Sequence, residues 1–377
     1  MTREILDHVG RSCELLALGE PTHQDPVFAR IRNGLLPRLA ERGFRSIALE
    51  IDRVAALAVD DHVRHGVGEL DVVMREGFSH EWGEREENRR LVVWIREYNE
   101  GRPAAERLAF HGFDAPTENY SAPSPRGYLE AARDHLGLDV DIAGPAGPDE
   151  RWSRTEAILD AAMSPGATEE AERLRVVGEE LLTALDERGP GGSPEAWDRA
   201  RTRLTAGLWL LRYHKQASRP LEPNLRVSRL MAVRDALQAQ NLLDIRRVEA
   251  RRGPTLVFAH NSHLQLSPSR LVAGELDLRW VGAGSIAGAL LGEKYVYIPG
   301  SLGRCAAIDL DAPAPETYEG LLGERVPDWG FVDAATVAPG VVRSDMKPRQ
   351  GYYPLDPAVL EGAGAVWHVN DAASARV

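Results

Sequence analysis

Short apolar runs recur along the chain, each closing on polar residues, and hydrophobic positions fall at helical spacing between them. The runs are CELLALG (13–19), SIAL (46–49), RLAFHG (107–112), TLVFA (255–259), KYVYI (294–298) and AVWHV (365–369). Their length and apolar character predict buried strands. Phe28, Ile31, Leu35, Leu36 and Leu39 follow a helix opening at Pro26, with Asp25 as its cap. Leu91, Val92, Ile95 and Tyr98 mark another helix before the third strand. Strands alternating with helices predict the α/β class: a three-layer α/β/α core around a mainly parallel sheet.

Residues 126–251 read differently. The pattern is helical almost throughout, punctuated by glycines at 144–147 and 189–192, with Thr168 and Ser193 as N-caps and Pro194 at a first helical position. The expected organisation is therefore a first part of the core over 1–125, a large helical insertion over 126–251, and a second part of the core over 252–377. Beyond Ser301 the chain is rich in glycine and proline, and no element order is predicted there.

Composition narrows the class. With 45 Lys+Arg against 57 Asp+Glu the net charge is −12, and no basic block stands out, so neither nucleic acid nor an anionic membrane is the expected partner. Two cysteines, Cys13 and Cys305, exclude a disulfide framework and a cysteine zinc site; Cys13, in an apolar run, is expected as a small core residue. The N-terminal stretch MTREILDHVG is charged, and no run approaches a membrane span. A soluble, cytoplasmic protein is expected.

Chemistry gathers at the strand ends. Gly19-Glu20-Pro21-Thr22-His23 follows the first run, Glu50 ends the second, His111-Gly112-Phe113-Asp114 closes the third, and His260-Asn261-Ser262-His263 closes the fourth. In a parallel sheet these ends emerge on one edge, where ligands bind. Glu20, His23, Glu50, Asp114, His260 and His263 are thus expected in one cleft, a set suited to general acid–base work. Gly19 and Pro21 place Glu20 and His23 on a turn rather than a helix. The same His/Glu groups can bind zinc or manganese from loops, although the spacing is not that of a known metal motif, so metal-free catalysis is preferred.

No G-x-S-x-G nucleophile elbow occurs, since Gly284-Ser285-Ile286-Ala287-Gly288 has the wrong spacing. The run Gly282–Ala287, after a strand-like 276–281, loosely matches a dinucleotide fingerprint, but close backbone packing is the expected use of its glycines. Arg234 can stabilise an oxyanion and Asn241 can orient a partner if their helix leans over the cleft. His80 and Trp82, in the polar stretch 77–88, are expected on its rim, with a core anchor beneath that stretch an equal reading for Trp82. Tyr120, in the proline-rich loop 114–126, and His111 complete the expected substrate contacts, with that loop and the insertion forming walls and a lid.

The sequence resembles the erythromycin esterase family. The resemblance rests on LALGEPTH (16–23), SIALEID (46–52) with the following Asp60-Asp61-His62-Val63, LVVWIREYN (91–99), FHGFD (110–114), RDALQAQN (234–241), VFAHNSHL (257–264) and GYYPLD (351–356), in the family's order along nearly the whole chain. It implies a three-layer α/β core with a helical insertion, and hydrolysis of an ester or lactone, typically of a macrolide, by activated water without a covalent intermediate. It implies His23 as general base, Glu20 and Glu50 positioning His23 and the water, and Arg234, His260 and His263 at the cleft, polarising the carbonyl or assisting the leaving alcohol. No metal or other cofactor is implied. Two positions depart from the family: Gln24 replaces a glycine and Gln240 a glutamate. Related readings on the same residues are a metal-dependent enzyme, an acyl-transfer or cyclising enzyme of natural-product biosynthesis, and, at fold level only, a non-catalytic haem or antibiotic binder.

Overall fold

The computed structural model describes residues 5–10 and 12–376; the first four residues of the charged N-terminal stretch lie outside them. The strands are β1 (Leu15–Glu20), β2 (Ser46–Asp52), β3 (Ala109–Asp114), β4 (Thr255–His260), β5 (Ser269–Ala273), β6 (Leu276–Trp280), β7 (Tyr295–Ile298), β8 (Gly300–Arg304), β9 (Trp329–Asp333) and β10 (Ala365–Asp371). Five form a parallel sheet in the order β3-β2-β4-β1-β7. A smaller sheet, β8-β10-β9, pairs β10 parallel to β8 and antiparallel to β9. It occupies the glycine- and proline-rich region for which the sequence offers no order. β5 and β6 make a separate antiparallel pair.

Alternation along the strands gives the main sheet two apolar faces. Leu16, Leu18, Ile47, Leu49, Phe110 and Phe258 pack beneath the helices Val27–Glu41, Ala56–His65 and Glu86–Asn99. Leu15, Ala17, Ala48, Phe113 and Val257 pack beneath Pro223–Glu249, through Ala239, Leu242 and Ile245, and beneath Ala283–Leu291. The result is a three-layer α/β/α fold with a mainly parallel sheet. Asp25 accepts from the Val27 N–H at 2.8 Å and so starts the first helix. Thr168 and Ser193 accept from the N–H groups of Ala171 and Ala196.

Between residues 126 and 251 the described structure contains no strand. Arg126–Leu136, Glu169–Arg188 and Pro194–Ala217 enclose an apolar cluster of their own around Leu129, Trp152, Leu174 and Leu204. The last helix of this stretch, Pro223–Glu249, instead belongs to the layer covering the sheet. Cys13 and Cys305 are both buried and free. The glycines after β6 serve packing: a Cβ on Gly284 would stand 1.9 Å from the Leu264 carbonyl oxygen. Among the described residues no helix is long and apolar enough to cross a membrane.

Candidate active site

Glu20, Asp114 and His260 are the last residues of β1, β3 and β4, and Glu50 lies two before the end of β2. Glu20 and His260 are direct neighbours in the parallel register. The turn after β1 is tight because Gly19 lies under Asn261; a Cβ there would stand 2.1 Å from Asn261 Oδ1. That Asn261 amide holds both the N–H and the carbonyl of Gly300, at 2.9 Å each, and pins the start of β8 against β1 and β4. His263 rides on the single-turn helix Asn261–Leu264, which His260 caps by accepting from the Ser262 N–H at 3.3 Å.

Glu50 is the hub. Its Oε1 lies 3.1 Å from an Arg234 nitrogen and 3.2 Å from His263 Nε2, and its Oε2 accepts from the His260 backbone N–H at 2.9 Å. His23 Nε2 is 3.7 Å from the same Oε2, while His23 Nδ1 is 2.7 Å from Glu20 Oε1. His263 Nδ1 meets both Asp235 oxygens, at 2.9 and 3.0 Å. Arg234 reaches Asp114 through Nε at 2.9 Å and through a second nitrogen.

Burial pushes the Glu50 carboxyl up, but His263, His23 and Arg234 outweigh it and hold the group well below the usual carboxylate range. Burial alone would lower His263; Asp235 and Glu50 reverse this and lift it to about 10, so its ring is a buried cation at neutral pH. His260 has no carboxylate in contact with its ring, and burial, with His23 beside it, pushes it down to about 3. Asp114, raised by burial, is brought back below its ordinary value chiefly by Arg234 and His80. Two neighbouring imidazoles are thus driven apart, one cationic and one neutral.

His23 is the reachable member. A third of its side chain is exposed, against 3% for Glu20 and Glu50 and 5% for His263. Beside it opens a cavity of about 450 Å³ whose wall includes Glu20, Gln24, Trp82, Arg85, Asn88 and Phe258. Trp82 meets the His23 ring edge-on at 5.0 Å and is also part of the core, so it fills both roles open to it. Arg32 lines the same cavity. It is fully buried, sits over the Phe258 ring, donates to Asn33 and Asn88, and among the described residues has no carboxylate within 4.0 Å; burial pushes it down to about 10. Sequence reasoning missed Arg32. The signal was an arginine inside the apolar stripe of its helix, four residues after Phe28 and four before Leu36.

Other expected contacts lie elsewhere. His80 Nε2 stands 3.6 Å from Asp114, and its Nδ1 3.0 Å from Glu118. It and Glu81 both hold φ of 58°, a left-handed pair stabilised by Glu118 accepting from the His80 N–H. Asp114 is fully buried, so it anchors Arg234 instead of touching substrate. Asn241 is likewise buried and donates to the Phe113 carbonyl at 3.0 Å, which ties the helix to β3 and corrects the expectation of a substrate contact. His111 points at Glu249, 2.9 Å away, at the far end of the helix from Arg234; three residues before Asp114, it lies about 10 Å back along the strand. Tyr120 is 63% exposed, and no hydrogen bond joins it to the cluster.

Three further supports were not read from sequence. Asp235 carries His263, Gln238 donates to Asp114 at 2.8 Å, and the Tyr353 ring packs on His260 at 5.3 Å while its N–H bonds the Pro21 carbonyl. Gln240 is exposed and outside the cluster. Among the described residues no three His, Cys, Asp or Glu side chains converge as a metal site, and three donors already occupy the Glu50 oxygens.

A search of curated protein sequences returns no match. Among solved structures, a Bacillus cereus protein superposes with a TM-score of 0.68 at 18% identity, over 97% of this chain and 90% of its own. A mutant of the erythromycin esterase EreC in its open conformation gives 0.65 at 18% identity, over 97% and 93%. A succinoglycan biosynthesis protein gives 0.62 at 15% identity, over 96% and 88%. These likenesses establish the fold. The sequence model of the erythromycin esterase family matches residues 39–360, and the chain belongs to that family.

Proposed function

We propose that the protein hydrolyses an ester or lactone of a bulky, macrolide-like natural product, with His23 activating the attacking water. The observation that carries this reading is the setting of His23. Its Nδ1 is held by a buried carboxylate at 2.7 Å, and its Nε2, 3.7 Å from Glu50, has no direct hydrogen bond to it. With Nδ1–H donated to Glu20, Nε2 is the nitrogen left to take a proton from water. Glu20 then stabilises the imidazolium that forms. The proton is returned from Nε2 to the departing alcohol.

Among the described residues the cavity wall carries no serine, threonine or cysteine, which favours direct attack by water over an acyl-enzyme. Arg32, lacking an anionic partner, supplies a donor for the carbonyl oxygen as negative charge develops. Arg234 and His263 act further back, keeping Glu50 ionised beside the base.

The test is a panel of macrolide lactones followed by mass spectrometry in H₂¹⁸O. The expected product is one water heavier and carries one ¹⁸O in its new carboxylate, including in a single turnover. His23→Ala lowers kcat/KM by about 10³-fold or more, the upper range of a positioned base, with unchanged circular dichroism. Dialysis against a chelator leaves the rate unchanged. Wild-type turnover by His23→Ala overturns the reading.

A further inference from the structure

A second cavity, of about 200 Å³, lies at the β3 edge of the main sheet and shares no wall residue with the one beside His23. Helix Ala56–His65, the first half of Pro194–Ala217 and the end of Pro223–Glu249 enclose it. Four guanidiniums, Arg53, Arg64, Arg199 and Arg252, stand on its wall together with Asp60, Glu195, Asp198 and Glu249. The charges balance in number, but the pairing does not come out even. Arg64 takes Asp60 and Glu195, Arg199 takes Glu195 and, outside the wall, Asp61, Glu249 is shared by Arg252 and His111, and Asp198 is paired with Arg247 outside the wall.

Arg53 is left over. Among the described residues its side chain makes one hydrogen bond, to the Asn241 carbonyl at 2.9 Å, and has no carboxylate within 4.0 Å. Burial pushes it down to about 10. The Nε groups of Arg64 and Arg252, on the same wall, are buried without a partner. A guanidinium offers five donors in a planar fork. Arg53 is only partly buried, and its donors beyond the one to Asn241 stand open at the hollow, where an acceptor can reach them.

We propose that this cavity binds a small organic carboxylate, its oxygens on Arg53 and its hydrocarbon part against Ala56, Leu57 and Val248. A carboxylate matches the fork in two parallel bonds. The apolar patch beside Arg53 favours an acid with a hydrocarbon body over inorganic phosphate. The volume is below the 300–1,000 Å³ typical of drug-sized ligands, which limits the occupant to something the size of benzoate.

Benzoate and inorganic phosphate are the probes, titrated into the full chain by calorimetry at constant ionic strength. Benzoate is expected to bind saturably, and Arg53→Gln to weaken it at least tenfold. Val248→Trp, at a position 36% exposed, places an indole in the hollow while leaving the Arg53 residue in place, and removes binding with an unchanged melting temperature. It keeps the test valid if Arg53→Gln fails to fold. Three results overturn the proposal: no saturable benzoate heat at millimolar concentration, phosphate binding with benzoate silent, or benzoate affinity unchanged in Val248→Trp.

Discussion

Replacing Asp235 by asparagine changes one charge and almost no volume, and its consequence can be worked from the geometry. His263 lies between Asp235 and Glu50, with 5% of its side chain exposed and none of Asp235's, so solvent screens the pair little. Its folded value is about 10 against an ordinary 6.5. At about 1.4 kcal/mol per pH unit, protonated His263 adds about 5 kcal/mol to stability. Asp235 is the larger attractive influence, so Asp235→Asn removes about 3 kcal/mol or more at pH 6. The folded value lies above the unfolded one. The contribution is therefore complete below pH 6.5 and fades as pH climbs toward 10. Urea melts of both proteins at half-unit steps from pH 6 to 10 are the assay. The gap between the curves narrows to under about 1 kcal/mol at the alkaline end. His214 and His368, both pushed down by burial, weaken the fold as pH falls below 6.5, but they act on both proteins alike and cancel in the difference. A gap that is the same at pH 6 and pH 10 refutes the cationic assignment of His263.

Two smaller perturbations test the scaffold. Gly19→Ala drives a methyl into Asn261 and loosens the β1 turn; a loss of about 1–3 kcal/mol in urea melts is expected, with turnover falling as His23 shifts. Gln240→Ala, on an exposed helix face, changes neither stability beyond about 0.5 kcal/mol nor the rate, which separates this departure from the family pattern from any effect on substrate choice.

The strand ends were legible because buried parallel strands are short apolar runs and their C-termini share an edge. That placed Glu20, Glu50, Asp114 and His260 correctly before any coordinate. The helix over the site was harder. Arg234, Gln238 and Asn241 recur at three- and four-residue spacing and share one face, whereas Asp235 is one position away, and which face meets the sheet is settled only by packing. His111 differs for another reason: it shares a strand with Asp114, and a strand spreads its residues along about 3.3 Å each. Of the small sheet β8-β10-β9 only the middle strand showed, as the apolar run AVWHV; β8 and β9 left no clear signal because glycine and proline interrupt the periodicity on which strand reading depends.

The sheet order also dictates when the molecule can mature. β1 is among the first segments made, yet its two neighbours are β4 and β7, and the indole of Trp367 closes on the Gly19 carbonyl across 348 residues of sequence. At ribosomal speeds of about 5–20 residues per second, Leu15 to Leu18 wait tens of seconds for the partners that cover them. A nascent chain of this kind carries an apolar, unpaired interior strand through most of its synthesis, and its yield is expected to respond to chaperone supply and translation rate.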